Sequence, residues 1–240
     1  MSELQKLLEV KKDMEYLTQE FMPYITDLIP LLIKGMKVTI LVSIFAFIIS
    51  IVLGAILAII QHYHVMILDP IAKVYISYFR GTPLLIQLFL FFYGLPMVLE
   101  IMVRCPKILA LIICLAMNSA AYLAETIRGA IESVDKGQYE ACLGFGMTHT
   151  QTMLRVVLPQ AAVAAIPPIV NSAIDIIKMS SLGMTIGIQD VMGEAQLAAA
   201  VSYKTFETYI IAAAFYWILA LVLGRIQRIV ERKIGVAYQK

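Results

Sequence analysis

Charged residues are scarce in this chain: Asp, Glu, Lys and Arg make up only 15% of its 240 residues, whereas apolar residues make up 60%. A typical soluble domain carries about 25% charged residues. The composition therefore excludes the possibility that most of this chain is a soluble domain. The net charge of +2 is too small, and the basic residues too scattered, to indicate nucleic acid as a partner. We therefore predict that most of the chain lies in membrane lipid.

Several chemical signatures are also missing. The three cysteines, Cys105, Cys114 and Cys142, show no paired metal-type spacing, so we expect neither a disulfide framework nor a metal site. His62 and His64 form a single pair, which is a weak metal signal and better explained as part of a loop. No Walker-type phosphate loop is present, so we do not expect this chain to hydrolyse ATP or to hold a cofactor itself.

Apolar residues are concentrated in runs, and a helix needs about 17 to 25 such residues to cross a bilayer. The runs cover residues 38–60, 84–99, 108–124, 156–177 and 209–224. We expect the helix that contains the second run to start before Arg80. They predict an all-α polytopic membrane protein with five transmembrane helices. Helix four contains Pro159, Pro167 and Pro168, and backbone groups freed by proline are tolerated at membrane depth only beside protein or a cavity. We predict that helix four lines a cavity.

The two ends of the chain differ in character. Residues 1–27 mix apolar and charged positions at roughly helical spacing, which predicts an amphipathic extracytoplasmic segment; a solvated tail is the alternative. This mixture is unlike a cleaved signal peptide. Residues 28–228 would form the transmembrane domain, and 229–240 a basic cytoplasmic tail. Basic residues favour the cytoplasm, and five crossings then place the N-terminus outside. The basic residues after helix five are Arg225, Arg228, Arg232, Lys233 and Lys240.

The longest internal polar stretch, between helices three and four, contains a spaced motif. Nine residues separate its glycine from its closing part, and its residues are Glu140, Ala141, Cys142, Gly146, Val156, Leu158 and Pro159. The motif resembles the EAA signature of ABC-importer permeases: Glu-Ala-Ala, three residues, Gly, nine residues, Ile-x-Leu-Pro. Cys142 and Val156 depart from it by small changes. The resemblance implies a cytoplasmic coupling loop over residues 128–159, with a short helix through 139–143 that docks on an ATPase.

We expect that helix to end near Gly144 or Gly146, where glycine permits a turn. Glu140, near its start, would suit the helix dipole and pair with an Arg or Lys of the partner.

Further stretches resemble one branch of that family, the polar amino-acid permeases for histidine, glutamine and cystine. They are Phe79-Arg80-Gly81-Thr82-Pro83-Leu84 with Gln87, Asn118-Ser119-Ala120-Ala121-Tyr122 with Glu125 and Arg128, and Pro167-Pro168 with Asn171-Ser172. The resemblance implies a type I ABC importer permease in a bacterial plasma membrane. It also implies three partners: a second permease subunit, identical or related; an ABC ATPase dimer that binds the ATP; and an extracytoplasmic amino-acid-binding protein. Two short stretches favour cystine as substrate, Gly94-Leu95-Pro96 and Tyr216-Trp217.

Ionisable residues inside a membrane are costly and are functional candidates. Asp175 and Lys178 qualify. The family stretch Lys-Asp-Thr-Ser-Leu is here Lys178-Met179-Ser180-Ser181-Leu182, so the usual acid is missing, and Asp175 lies one helical turn before Met179. We hypothesise that Asp175 faces the substrate's amino group and Lys178 its carboxylate. The alternative is an ion pair that only lets the helix tolerate both charges.

Three other residues complete the candidate site. Asn118 would add a hydrogen bond to the substrate, and Ser181 belongs to the same stretch as Lys178. Arg80 would gate or anchor the inner end of helix two, although snorkelling to the membrane interface explains it as well.

Two other classes of protein compete with this interpretation. An intramembrane enzyme would need paired catalytic groups, such as His with Glu at helical spacing within the membrane, and the sequence shows none. A secondary transporter or channel agrees with the hydropathy, but nothing in such a protein requires the EAA spacing. Dependence of transport on ATP rather than on an ion gradient would separate the classes.

Overall fold

The computed structural model describes residues 17–238, which form helices joined by short connections. A π-helical turn, Leu17–Phe21, leads into the first helix. We number the helices α1 Met22–His62, α2 Leu68–Gly81, α3 Leu84–Val98, α4 Lys107–Glu132, α5 Lys136–Gly144, α6 His149–Ile186, α7 Val191–Ser202 and α8 Thr205–Tyr238. The predicted all-α architecture is confirmed. Residues 1–16 of the predicted amphipathic segment, and residues 239–240 of the predicted tail, lie outside the described range.

Within the described range, four helices are long and apolar enough to cross a membrane by themselves: α1, α4, α6 and α8. The helices α2 and α3 meet that test only together, and they are bent by 109° at the break between them. The chain is thus a polytopic membrane protein with four such spans, or five if the bent pair counts as one. Five crossings stay a prediction.

Several helices extend well beyond the apolar runs that predicted them. The first begins at Met22 rather than near residue 38, and the third continues to Glu132 rather than ending near 124. Ion pairs explain the second extension, because Arg128 contacts Glu125 at 3.0 Å and Glu132 at 2.7 Å. Pairs three or four residues apart stabilise a helix, so the assignment of residues 125–132 to a polar loop was wrong.

The second predicted helix is in fact an elbow between α2 and α3. Thr82 is extended, with φ −120° and ψ 145°, as expected for a residue before proline. Buried amides hold the bend: Gln87 Nε2 donates to the carbonyls of Phe79 and Thr82, both at 3.0 Å. Asn118 Nδ2 donates to Phe79 O at 3.1 Å and to Gln87 Oε1 at 3.0 Å, which ties the elbow to α4. The prediction that helix two starts before Arg80 and runs through Pro83 was therefore wrong, because the chain breaks at Thr82.

The helix α4 lies at the centre of the bundle and α8 at its edge. In its most apolar window, 67% of α4 is buried by protein, compared with 6% of α8. Core residues from α1, α4 and α6 pack together around Leu111 and Leu115, and they include Val42, Ala46, Ile112, Cys114, Ala116 and Ile176. The exposed apolar faces of α8 and α6 are suited to lipid or to another membrane subunit.

A close approach at Gly35 fixes α1 against the start of α7. A β-carbon at Gly35 would lie 2.6 Å from the backbone carbonyl of Asp190. One turn later, Thr39 Oγ1 accepts a hydrogen bond from the Val191 amide at 3.3 Å. Asp190 in turn caps α7 by accepting from the Gly193 amide at 2.9 Å. Only glycine at position 35 permits this contact.

We expect Gly35→Ala to destabilise the protein by about 1 to 3 kcal/mol, because the added methyl group must push α1 away from the Asp190 backbone. Thermal unfolding of the purified protein in mild detergent would show a lower midpoint. Gly224→Ala on α8 is the matched control, since nothing lies within 4 Å of a β-carbon there. Equal midpoints for the two variants would contradict the steric explanation.

Candidate functional site

A cavity of about 660 Å³ lies between the α2–α3 elbow, α4 and α6. Its walls combine charged, polar and small apolar side chains: Arg80, Thr82, Pro83, Leu84, Asn118, Ser119, Tyr122, Glu125, Thr126, Ser172, Asp175, Lys178 and Met179. The last four belong to α6, so the prediction that this proline-containing helix lines a cavity is confirmed. The helix passes through Pro167 and Pro168 without ending.

Asp175 and Lys178 form an ion pair on the cavity wall. Lys178 Nζ lies 2.6 Å from Asp175 Oδ1, one helical turn away. The pair that formed our alternative interpretation is therefore present. Yet the side chains remain 56% and 58% exposed, so both charges stay accessible to a ligand.

The other two substrate candidates differ in their positions. Asn118 is buried and lines the cavity, but its amide donates to the elbow as described above. Ser181 lies outside this cavity, in a neighbouring hollow of about 370 Å³ between α6, α7 and α8, and its hydroxyl donates to Lys178 O at 2.6 Å. The structure thus brings Asn118, Asp175, Lys178 and Arg80 together around one cavity, and Ser181 lies in the neighbouring hollow, which Lys178 also lines. Contact of each residue with substrate stays a prediction.

Arg80 crosses from the elbow to α4. Its Nη1 lies 3.3 Å from Glu125 Oε2, and its guanidinium lies over the Tyr122 ring at 5.7 Å from the centroid. Glu125 also contacts Arg128. Glu125 was not among the predicted site residues, although it lies seven residues, or two helical turns, after Asn118, a spacing that predicts one shared face of the helix.

The helix α5 contains the predicted coupling segment and is longer than predicted. Asp135 caps it by accepting from the Gly137 amide at 2.7 Å. The helix therefore begins at Lys136, and Glu140 lies at its middle rather than near its start. The prediction that Glu140 interacts with the helix dipole was therefore wrong, because the dipole acts on charges in the first turn of a helix.

Gly146 ends the coupling segment with a left-handed turn, at φ +86°. The Gly146 amide donates to Leu143 O at 2.9 Å, and the Met147 amide donates to Cys142 O at 3.1 Å. These two bonds form a Schellman motif, in which glycine is favoured at the left-handed position. The glycine of the motif thus has a clear structural purpose.

The helix α5 is held firmly on one side. Tyr139 Oη lies 2.8 Å from His149 Nδ1, and Gln160 Nε2 donates to Gln138 Oε1 at 2.6 Å. Tyr139 also packs against buried Met153 and Val157 of α6. These contacts join α5 to the start of α6.

Much of α5 and of the turn that follows it is exposed. Glu140 and Ala141 are exposed, Cys142 is half-buried, and Phe145 is 90% exposed. An exposed aromatic residue in this turn is suited to docking on another protein. Phe145 was not predicted as a site residue, because a single aromatic residue in a polar loop does not indicate an interaction site in the sequence.

The closing residues of the motif shape the start of α6. Pro159 has no amide hydrogen to continue the helical bonding, and a π-helical turn, Met153–Val157, precedes it. Val157 is buried, whereas Val156 is half-buried and Leu158 is 37% exposed. These residues set the direction of α6 next to α5.

The left-handed turn can be tested by a pair of glycine variants. Gly146→Ala should weaken the end of α5 by roughly 1 to 2 kcal/mol, the cost of a left-handed conformation for a residue with a β-carbon. Hydrogen exchange of residues 136–147 would then be faster by about fivefold or more. Gly144→Ala lies within the helix, has open space around it and should not accelerate exchange. Similar exchange in both variants would contradict this role for Gly146.

A bundle of apolar helices around a cavity with a partly charged lining, with the short helix α5 beside it, is typical of a membrane permease subunit. The family of binding-protein-dependent transport system inner membrane components matches residues 50–236. The chain belongs to that family.

Individual relatives narrow the assignment. The chain is 42% identical over 215 residues to the probable amino-acid ABC transporter permease PatM of Vibrio harveyi, covering 90% of this chain and 96% of that protein. It is 36% identical over 217 residues to the L-cystine transport system permease TcyL of Bacillus subtilis, covering 89% and 91%.

Solved structures agree. A crystal structure of an amino acid ABC transporter with histidines matches with a TM-score of 0.83 at 35% identity, over 90% of this chain and 99% of that one. The methionine transporter MetNI matches with a TM-score of 0.68 at 19% identity, over 88% and 98%, and shows the fold alone. The chain is an amino-acid ABC transporter permease subunit with the type I importer fold. It is not an enzyme, because in this family the ATPase is a separate subunit.

Proposed function

We propose that this chain forms the translocation path of an ATP-driven importer for polar amino acids. An extracytoplasmic binding protein would deliver the substrate, and an ABC ATPase dimer would power its passage into the cytoplasm. A second permease subunit, either another copy or a related chain, would complete the membrane unit. In this proposal the N-terminus lies outside and the C-terminus inside. Cystine is the leading candidate among the substrates.

The observation that carries this proposal is the accessible ion pair of Asp175 and Lys178 on the cavity wall. A free amino acid carries an ammonium and a carboxylate close together. The pair offers one partner for each, and charge-assisted hydrogen bonds are the strong ones. The pair also faces the open cavity rather than lipid, and ionisable residues that mark a substrate path in a membrane protein lie in such positions.

The bracing of α5 supports a route for coupling. ATP binding would move the ATPase subunits and, with them, the docked α5. Contacts from Tyr139 and Gln138 to α6 would carry that movement to the helix that bears Asp175 and Lys178. The cavity would then alternate between outward and inward access, as in other two-state transporters.

Transport into proteoliposomes tests this function. The permease would be reconstituted with its co-purified ATPase, ATP would be supplied on the ATPase side, and the binding protein with labelled amino acids on the other. Uptake should require ATP and survive an ionophore that collapses ion gradients. Uptake that requires the gradient and not ATP would establish a secondary transporter instead, and uptake of no amino acid would refute the proposal.

A further inference from the structure

The cavity holds twice as many charges as one simple amino acid needs. Besides Asp175 and Lys178 on α6, Arg80 and Glu125 line the same space from the elbow and from α4. The lining therefore presents two cations and two anions. Because one ammonium and one carboxylate already have partners in Asp175 and Lys178, the second pair on the cavity wall calls for its own explanation.

The second pair is accessible and structurally able to change partners. Arg80 is 45% exposed and Glu125 is 28% exposed. Both Arg80 and Arg128 contact the same oxygen of Glu125, Oε2. Arg128 is also paired with Glu132 and does not line the cavity. If Arg80 turned toward a ligand, Glu125 would therefore keep a compensating charge.

The remaining bonding capacity is suited to a zwitterionic group. A carboxylate has about four acceptor positions, and a guanidinium has five N–H donors in a planar fork. Arg80 could thus bind a carboxylate in a bidentate manner, while Glu125 accepts from an ammonium. The elbow holds Arg80 in place, because Gln87 and Asn118 fix the end of α2 through Phe79 O.

We propose that Arg80 and Glu125 form a second charge subsite, and that the cavity takes amino acids with an ammonium and a carboxylate at each of two ends. This inference rests on the proposed function, in which Asp175 and Lys178 bind the first end. The volume of about 660 Å³ lies within the range of sites for drug-sized ligands. It leaves room for a substrate that spans both pairs.

Equilibrium binding to the purified complex in mild detergent tests the inference with two related probes. L-Cystathionine has an amino-acid group at both ends of a thioether, and L-methionine has a thioether with one such group. Neither probe contains a disulfide, so neither exchanges with the free thiols of Cys105, Cys114 and Cys142. L-Cystathionine should bind at least about tenfold more tightly, the factor that corresponds to roughly 1.4 kcal/mol.

Variants assign that preference to the second subsite. Arg80→Gln and Glu125→Gln should each lower the affinity for L-cystathionine by about tenfold more than the affinity for L-methionine, so that the preference is lost. Arg80→Lys should retain part of the preference. Glu132→Gln is the matched control, because it breaks the other ion pair of Arg128 without altering the cavity lining. It should keep the preference.

Each other outcome has a definite meaning. Equal affinity for both probes, or a preference that survives Arg80→Gln and Glu125→Gln, would overturn the second subsite. If both probes bind equally and both are lost with Lys178→Met, the proposed transport function stands and only this inference fails. Failure of both probes to bind the wild-type complex would count against both.

Discussion

Replacing Glu140 by arginine is expected to release the ATPase from the permease without unfolding the permease. Glu140 lies at the middle of α5 on its exposed side. The contacts that hold α5 to α6 come from Tyr139 and Gln138, so they survive the substitution. Reversing a charge within a docked interface typically costs about 2 to 5 kcal/mol, which lowers affinity by at least about 30-fold.

A tagged pull-down in mild detergent would measure this effect, with every retained protein identified by mass spectrometry. The wild-type chain should retain an ABC ATPase, and Glu140→Arg should lose it and lose ATP-driven uptake with it. Glu100→Arg is a matched control, since it reverses an exposed charge in the turn Glu100–Arg104, far from α5 in the chain. If a folded Glu140→Arg chain keeps its ATPase, α5 is not the docking element.

The sequence predicted the helices where hydropathy alone decides them, and missed the features that depend on contacts between distant residues. Long apolar runs located α1, α4, α6 and α8. The elbow between α2 and α3 depends instead on Gln87 and Asn118, which are 31 positions apart and meet through their side chains. A hydropathy profile cannot predict the contact between Gln87 and Asn118, because both amides lie within apolar runs. The same holds for Gly35, whose importance follows only from the Asp190 backbone packed against it.

The candidate site shows a similar division. Spacing along one helix predicted that Asp175 and Lys178 could pair, and the motif predicted a helix around Glu140 that ends at a glycine. Ser181 was grouped with Lys178 by sequence proximity; it shares the hollow between α6, α7 and α8 with Lys178 but does not line the cavity that contains Asp175 and Arg80. Glu125 was overlooked because its partner Arg80 comes from another helix. Local spacing therefore predicts pairs within a helix, whereas a cavity is assembled across helices.

Neutralising either charge of the α6 pair is expected to reduce transport strongly. Asp175→Asn and Lys178→Met each remove one charge-assisted hydrogen bond to the substrate, worth about 1.5 to 3 kcal/mol. The kcat/KM for uptake should fall by roughly 10- to 100-fold. Lys73→Met is a close control: Lys73 also pairs with an acid in its own helix, Asp69 at 2.9 Å, it is 59% exposed, and it does not line the cavity. Its uptake should stay near that of the wild type.

The single variants do not distinguish a pair that recognises the substrate from a pair that only lets α6 enter the membrane. Removing either partner leaves the other charge unpaired, which would impair the protein in both cases. Exchanging the two residues, Asp175→Lys together with Lys178→Asp, keeps an ion pair on the same wall of α6 and reverses its direction. If the pair only allows the helix to enter the membrane, the exchanged chain should insert and transport normally. If the pair reads the ammonium and the carboxylate of the substrate, the exchanged chain should insert normally and transport as poorly as the single variants. Uptake by these chains, normalised to the amount inserted, therefore decides whether α6 recognises the amino acid or merely carries its charges.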